Sequence, residues 1–231
     1  MTRQNSLICK GCWQNLHMPV ALRGVLSVPF RVVGLRPSRM NPNTCTLCEL
    51  MFTRVMKATK ITIDASILFA DLRAYTRLSQ SLSPAEMGGV LDTFYDECAE
   101  AIWEQDGLLN KTIGDAVMAV FNFPIKHPDH ARRAVLAARR IQQRAAHHEL
   151  AVGIGVSSGE LSFGEFGRSH RDLTAIGTVV NTAARAQGVA EPGEIVVTET
   201  VRERAGDAMP DDAAKSYQLK GFDTPVTLYP A

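Results

Sequence analysis

Residues 67–72, Ile67-Leu-Phe-Ala-Asp71-Leu72, form a short apolar run with one acid near its end. Such a run, bounded by polar residues, fits a strand buried on both faces. Leu91, Phe94, Tyr95, Cys98, Ala101 and Ile102 then recur at helical spacing between Pro84 and Gln105, which predicts an amphipathic helix and places Cys98 in its core stripe. Leu108 to Phe121 reads as two strands folded over Gly114-Asp115, a hairpin turn signal, with Ala116-Val-Met-Ala-Val-Phe121 as the buried return strand. A helix is expected from Pro128 to Arg144, a strand from Leu150 to Val156, and a glycine-rich hairpin through Gly159 and Gly164. A short helix around Val180 to Arg185 and a strand at Glu194 to Thr198 complete the pattern. The order strand, helix, hairpin, helix, strand predicts a mixed α/β (α+β) sandwich of the ferredoxin-like βαββαβ kind, with helices on one sheet face.

Four of the five cysteines lie upstream as Cys9-x-x-Cys12 and Cys45-x-x-Cys48. Two tight pairs of soft ligands fit one tetrahedral zinc site in a small zinc-ribbon-like module, although the separation is wider than in the commonest ribbons. Redox pairs or unmetallated cysteines remain alternatives, and His17 is a polar residue that could replace one ligand. Between the pairs, Pro29 to Pro42 is rich in turn residues and arginine and shows no strong periodicity. The boundary is expected near residues 53–62, dividing the chain into a cysteine-paired basic module, residues 1–58, and a second domain, residues 59–231.

Charge follows that division. Residues 1–60 hold nine Lys/Arg against the single acid Glu49, leaving sixteen against twenty-three in the rest. An acidic body that binds an anion needs metal ions and a few well-placed cations, because its overall field opposes the ligand. Nucleic acid is not expected as a partner, since the basic segment carries neither a base-reading helix nor interleaved aromatics. The apolar stretch from Met18 to Leu35 is broken by Arg23, Pro29 and Arg31, so no membrane span is expected. Arg3, Gln4 and Asn5 before a brief apolar patch do not make a secretory signal, and a cytoplasmic protein is expected.

Asp71 at a strand end and Asp115 at a hairpin tip are the acids that the pattern brings side by side. Two carboxylates suit Mg²⁺, which completes its shell with water and phosphate. Each also has a structural reading, as a cap or as a tight-turn aspartate.

The surrounding residues go further. Phe69-Ala-Asp71-Leu-Arg-Ala-Tyr75-Thr76, then Lys111-Thr-Ile-Gly114-Asp115-Ala-Val-Met-Ala-Val-Phe121, then Thr174-Ala-Ile-Gly177-Thr-Val-Val-Asn181-Thr-Ala-Ala-Arg185, then Leu219-Lys220-Gly221 follow one another in order. This series resembles the motifs of the class III adenylyl and guanylyl cyclase catalytic domain over about residues 62–231. The resemblance implies Asp71 and Asp115 as ligands of two Mg²⁺ or Mn²⁺ ions, with the Leu72 carbonyl as a further ligand. It gives Lys111 and Thr174 the purine base, Asn181 the ribose, Arg185 the transition-state charge and Lys220 the terminal phosphates, with Thr76 in the substrate-binding set. It also implies a homodimer with shared active sites.

Donor chemistry suggests ATP as substrate. A lysine only donates and a threonine hydroxyl can accept, which complements the ring nitrogen and amino group of adenine. A guanylyl enzyme is expected to place an acid at the lysine position. Ala74, Tyr75, Leu173 and Thr178 stand where related sequences commonly have Gly, Phe, Tyr and Asp, and Thr174 resembles a subgroup associated with bicarbonate response. Diguanylate cyclases share the general fold, but their Gly-Gly-acid motif is absent. The expected function is adenylate cyclase. The alternatives are a catalytically silent cyclase-homology domain acting in nucleotide binding or regulatory dimerisation, and a zinc-dependent nucleic-acid or redox sensor.

Overall fold

The computed structural model describes residues 6–167, 172–211 and 213–231. The opening residues Arg3 to Asn5, cited above against a secretory signal, lie outside them. Among the described residues no helix is long and apolar enough to cross a membrane.

The chain begins with helices α1 (Lys10–Leu16), α2 (Val28–Val32) and α3 (Thr46–Ala58). Strand β1 (Ile61–Leu72) leads through α4 (Tyr75–Ser81) and α5 (Pro84–Glu104) to β2 (Leu108–Ile113) and β3 (Ala116–Phe121). Then come α6 (His130–Ala146), β4 (Val152–Phe166), β5 (Asp172–Ile176), α7 (Thr178–Val189) and β6 (Ile195–Thr198). Helix α8 (Glu199–Ala205), β7 (Lys215–Tyr217) and β8 (Val226–Pro230) finish the chain.

The strands form one sheet in the order β2-β3-β1-β4-β6-β8-β7, with β5 also paired to β4. β1 is antiparallel to both β3 and β4, and β3 to β2, so β4-β1-β3-β2 with α5 and α6 is the expected ferredoxin-like unit. Alternation along β1 sends Leu68, Ala70 and Leu72 into one core and Ala65, Ile67 and Phe69 into another. A strand buried on both faces reads as a continuous apolar run, which is why residues 67–72 are so uniform. α5 and α6 fill the first core. The opposite face, left bare in the sequence reading, receives Ala183 of α7 and Met56 of α3.

α5 starts where its sequence signals it should. The Ser83 hydroxyl accepts from the Glu86 amide, the Glu86 carboxylate accepts from the Ser83 amide, and Pro84 opens the first turn. The glycine-rich hairpin expected through Gly159 and Gly164 is not formed there. β4 runs on through both glycines as one 15-residue strand, because β1 pairs with it from Ile61–Phe163 to Leu72–Val152. The fold-back comes after Phe166, with β5 as the return. Residues 29–42, read as irregular, begin with the end of α2.

In the N-terminal module, Cys9 and Cys45 are the N-caps of α1 and α3. The frame is therefore helical, with isolated bridges at Ile8–Ala21 and Pro37–Cys45. The module is tied to the body through Asp106, whose side chain is 1% accessible. Asp106 accepts from Lys10 Nζ at 2.6 Å, Asn43 Nδ2 at 2.8 Å and His127 Nε2 at 2.9 Å, with Arg133 at 3.6 Å. Asn41 donates to the next carbonyl, Gly107, at 2.9 Å, and Trp103 Nε1 donates to Met40 at 2.8 Å. Asp106 also takes φ 59°, a left-handed turn between α5 and β2.

On the sheet face that also receives Met56, α7 crosses β4 at Gly155, where an added Cβ would overlap the Gln187 amide and the Ala183 carbonyl. Two predictions arise from these contacts. Gly155→Ala should destabilise the chain by about 2–3 kcal/mol in urea unfolding, since the obstruction is backbone that cannot step aside. Asp106→Ala should cost about 3 kcal/mol by removing the acceptor shared by Lys10, Asn43 and His127, and should raise proteolytic sensitivity in residues 6–58.

Candidate active site

The ladder between β1 and β3 sets Asp71 opposite Ala116, the residue after Asp115. Asp115 occupies the two-residue turn with Gly114, which has φ 61°, as a tight hairpin of this kind requires. The Leu72 amide donates to the Asp115 carbonyl at 3.1 Å, and Tyr95 Oη donates to the Gly114 carbonyl, fixing the turn. Asp71 and Asp115 therefore meet at one end of the β1–β3 ladder, as their positions in the sequence predict.

Asp71 has an environment that the sequence did not announce. Gln187 Nε2 donates to its Oδ2 at 2.9 Å, and Arg73 Nη1 lies 3.3 Å from the same oxygen. Arg73 also donates to the Gln187 carbonyl and lies flat over Gly153, where any Cβ would overlap the guanidinium. Burial raises the Asp71 carboxyl above its ordinary range, and the neighbouring Asp115 charge adds to the rise. Arg73 and Gln187 pull the other way without cancelling it. Two carboxylates in that balance present a hard-oxygen donor set suited to Mg²⁺ or Mn²⁺. Arg73 was visible inside the first motif. Gln187 had no signal beyond its place two residues after Arg185.

The other sequence-predicted residues are distributed differently. Lys111, half-buried on β2, forms an ion pair with Asp172 at the start of β5, and Asn110 donates to the Leu173 carbonyl at 3.3 Å. Thr174 lies two residues along the same strand from Asp172, on the same face. Asp172 was not anticipated as the partner of Lys111. Asn181 and Arg185 are exposed on α7, four residues apart on one face, while Gln187 on the other side of that helix reaches Asp71. Among the described residues no hydrogen bond or ion pair joins Asn181 or Arg185 to either aspartate. Lys220 is exposed in the turn between β7 and β8, and Thr76 is exposed on α4. Ala74, where related sequences commonly have Gly, takes φ 61°. That left-handed geometry costs a residue with a Cβ about 1 kcal/mol.

A second cluster lies in the module. The sulfurs of Cys9, Cys12, Cys45 and Cys48 all lie within 4.8 Å of one another. The spacings are 3.6 Å for Cys9–Cys48, 3.5 Å for Cys12–Cys45 and 3.4 Å for Cys12–Cys48. A tetrahedron of thiolates ~2.3 Å from zinc has edges of ~3.8 Å, so the set fits such an ion with little adjustment. Burial pushes the Cys12 thiol up to about 12, and its sulfur neighbours push Cys48 up as well. Four thiolates can share this space only with a cation among them. Cys98 is fully buried in the first core, as its helical position predicts.

A sequence profile described as the adenylate and guanylate cyclase catalytic domain matches residues 57–229, well over half of the chain. An uncharacterised protein of Mycobacterium tuberculosis is 31% identical over 174 residues, which is 71% of this chain and 31% of that protein. The adenylate cyclase of Anabaena cylindrica is 30% identical over 187 residues, which is 71% of this chain and 36% of that enzyme. The chain thus spans roughly a third of the length of these curated relatives. The crystal structure of the guanylyl cyclase Cya2 matches with a TM-score of 0.65 at 29% identity, covering 74% of this chain and 92% of that one. The adenylyl cyclase CyaB from P. aeruginosa matches in fold, with a TM-score of 0.65 at 24% identity, over 74% of this chain and 95% of that one.

The balance at Asp71 yields a stability prediction. A carboxyl whose native pKa is raised binds its proton more tightly folded than unfolded. Its contribution therefore falls as pH rises from the ordinary value of 3.8 through the native one. Asp71→Asn should then raise the thermal midpoint of the metal-free protein at neutral pH, and that gain should shrink when Mg²⁺ is added to the parent.

Proposed function

The chain belongs to the adenylate and guanylate cyclase catalytic domain family, and from that premise we propose that it is an adenylate cyclase, forming 3′,5′-cyclic AMP and pyrophosphate from ATP. The observation that carries the proposal is the meeting of Asp71 and Asp115 at the end of the β1–β3 ladder, two acids kept close against their mutual repulsion.

In this reading Asp71, Asp115 and the Leu72 carbonyl hold two Mg²⁺ or Mn²⁺ ions. Bound there, the ions would acidify the ribose 3′-hydroxyl and neutralise charge on the α-phosphate and the leaving pyrophosphate. Gln187 and Arg73 keep the Asp71 carboxylate aimed while it is charged. Asn181 orients the ribose so that its 3′-oxygen lies in line with the α-phosphorus. Arg185 forks toward the phosphoryl oxygens, where charge grows in the transition state, while Lys220 and Thr76 hold the phosphate chain.

ATP is supported over GTP by the donor-only Lys111 and the accepting hydroxyl of Thr174. The relatives do not decide between the two, since one similar structure is a guanylyl cyclase and one similar sequence an adenylate cyclase. The ion pair with Asp172 means that an incoming base must share or displace that carboxylate. This feature also favours the second reading, a nucleotide-binding or dimerising module without turnover. A homodimer is supported by α7 itself. Gln187 faces the aspartates of its own chain, so Asn181 and Arg185 face outward and need the aspartates of another copy. We also read the N-terminal cysteines as ligands of a structural zinc ion, with residues 1–58 and 59–231 as two domains.

The deciding experiment incubates the purified protein with ATP or GTP and Mg²⁺ or Mn²⁺, beside Asp71→Ala and Arg185→Ala. Cyclic AMP from ATP is expected, with each single variant at least a hundredfold slower and their mixture partly restored, because one wild-type half-site reforms in the heterodimer. Absence of product under all four conditions would support the silent module, and cyclic GTP alone would overturn the base assignment.

A further inference from the structure

Among the described residues, thirteen of the fifteen exposed large apolar side chains lie between Leu7 and Val55. Five of them crowd one projection of the module, residues 24–35. Val25 is 87% exposed, Leu26 79%, Val32 81%, Val33 72% and Val28 56%.

This projection is a built element. Gly24 and Gly34 turn the chain at its two ends with φ 76° and 85°. Ser27 is buried and its hydroxyl donates to the Gly24 carbonyl at 2.7 Å, while the Leu35 amide donates to the Phe30 carbonyl at 2.8 Å. Phe30 and Leu35 turn inward and pack on the four-cysteine cluster. The inward side chains thus fasten the projection, and among the described residues nothing covers the five outward ones. Exposed apolar surface concentrated in this way marks an interaction site.

The charge around it narrows the partner. Residues 1–48 contain no acid. Arg31, Arg36 and Arg39 are exposed and form no ion pair among the described residues. Arg31 and Arg36 line one shallow hollow beside Pro37, and Arg36 and Arg39 line another beside Leu50. Glu49, which also borders the second hollow, accepts from the Ser38 hydroxyl at 2.6 Å. A second copy placed on this face would oppose arginine to arginine with little acid to offset them. A nucleic acid would satisfy the arginines and leave the valines and Leu26 in water. A surface of anionic headgroups over an apolar layer answers both.

We propose that this face of the module docks reversibly on an anionic lipid surface. Val25, Leu26, Val32 and Val33 enter the boundary between headgroups and acyl chains, and Arg31, Arg36 and Arg39 engage lipid phosphates. Docking of this kind uses the module alone and is independent of cyclase activity.

The test is co-sedimentation of the full chain, purified in the presence of Zn²⁺, with vesicles of phosphatidylcholine alone or mixed with phosphatidylglycerol. Binding is expected on the mixed vesicles, weaker on the neutral ones, and reduced by added salt. The double variant Leu26→Asp/Val33→Asp should bind at least tenfold more weakly. The triple variant Arg31→Gln/Arg36→Gln/Arg39→Gln should lose on the order of a hundredfold, at about fivefold per basic residue near an anionic surface. All five positions are exposed, so unchanged thermal midpoints and metal content should accompany these losses. Equal binding to both kinds of vesicle, or an aspartate variant that binds like the parent, would overturn the proposal. So would a DNA duplex that binds the parent in an arginine-dependent manner untouched by the aspartates, or aspartates that alter only self-association in lipid-free solution.

Discussion

α7 rests on β4 at a point where the strand has no side chain, and the arrangement of the candidate site depends on that contact. With only hydrogen at Gly155, the helix backbone descends onto the strand, and with only hydrogen at Gly153, the Arg73 guanidinium lies flat beside it. Gln187 thereby reaches Asp71, while helical geometry turns Asn181 and Arg185 to the outer face. One packing constraint thus orients Asp71, the proposed metal ligand, and exports the residues proposed to complete a neighbouring site. The proposed division of the chemistry between two chains would follow from helix phase.

Electrostatics divides the molecule in a second way. The body carries the acids and the N-terminal module carries basic charge with almost none. They meet at Asp106, a buried carboxylate of the body that takes Lys10 from the module and His127 and Arg133 from its own side. Burying a charge is costly unless it is paired and hydrogen-bonded, and the module adds Lys10 and Asn43 to the partners that the body gives Asp106. Asp106 and Gly107 lead directly into β2, which carries Lys111, and then into the turn that carries Asp115.

The two clusters of ligands show contrasting chemistry. The Asp71–Asp115 edge offers hard oxygens, partly open, with an amide and a guanidinium moderating the charge. The cysteine cluster offers soft sulfurs, closed and buried, with spacings near those of a tetrahedron. An open oxygen site leaves room for substrate, whereas a closed sulfur site serves structure. In the module that structure fastens the inward side of an element whose outward side is apolar.

The sequence by itself determined the βαββαβ order, the hairpin at Gly114-Asp115, the helix that opens at Pro84, the burial of Cys98 and the pairing of the four cysteines. Each of these is written in local signals: apolar period, turn chemistry or ligand spacing. It misplaced the fold-back after β4, because Gly159 and Gly164 look like turn residues until β1 supplies a partner along the whole length of that strand. It left residues 29–42 without structure and could not see that one side of residues 24–35 would remain uncovered. The contacts of Gln187, Arg73, Asp172 and Asp106 were decided only by the tertiary structure. Gln187–Asp71, Arg73–Gln187, Lys111–Asp172 and Lys10–Asp106 join residues 61 to 116 positions apart, and no local period records them. Local chemistry fixed which elements form and which side chains they offer, and packing decided which of those side chains meet.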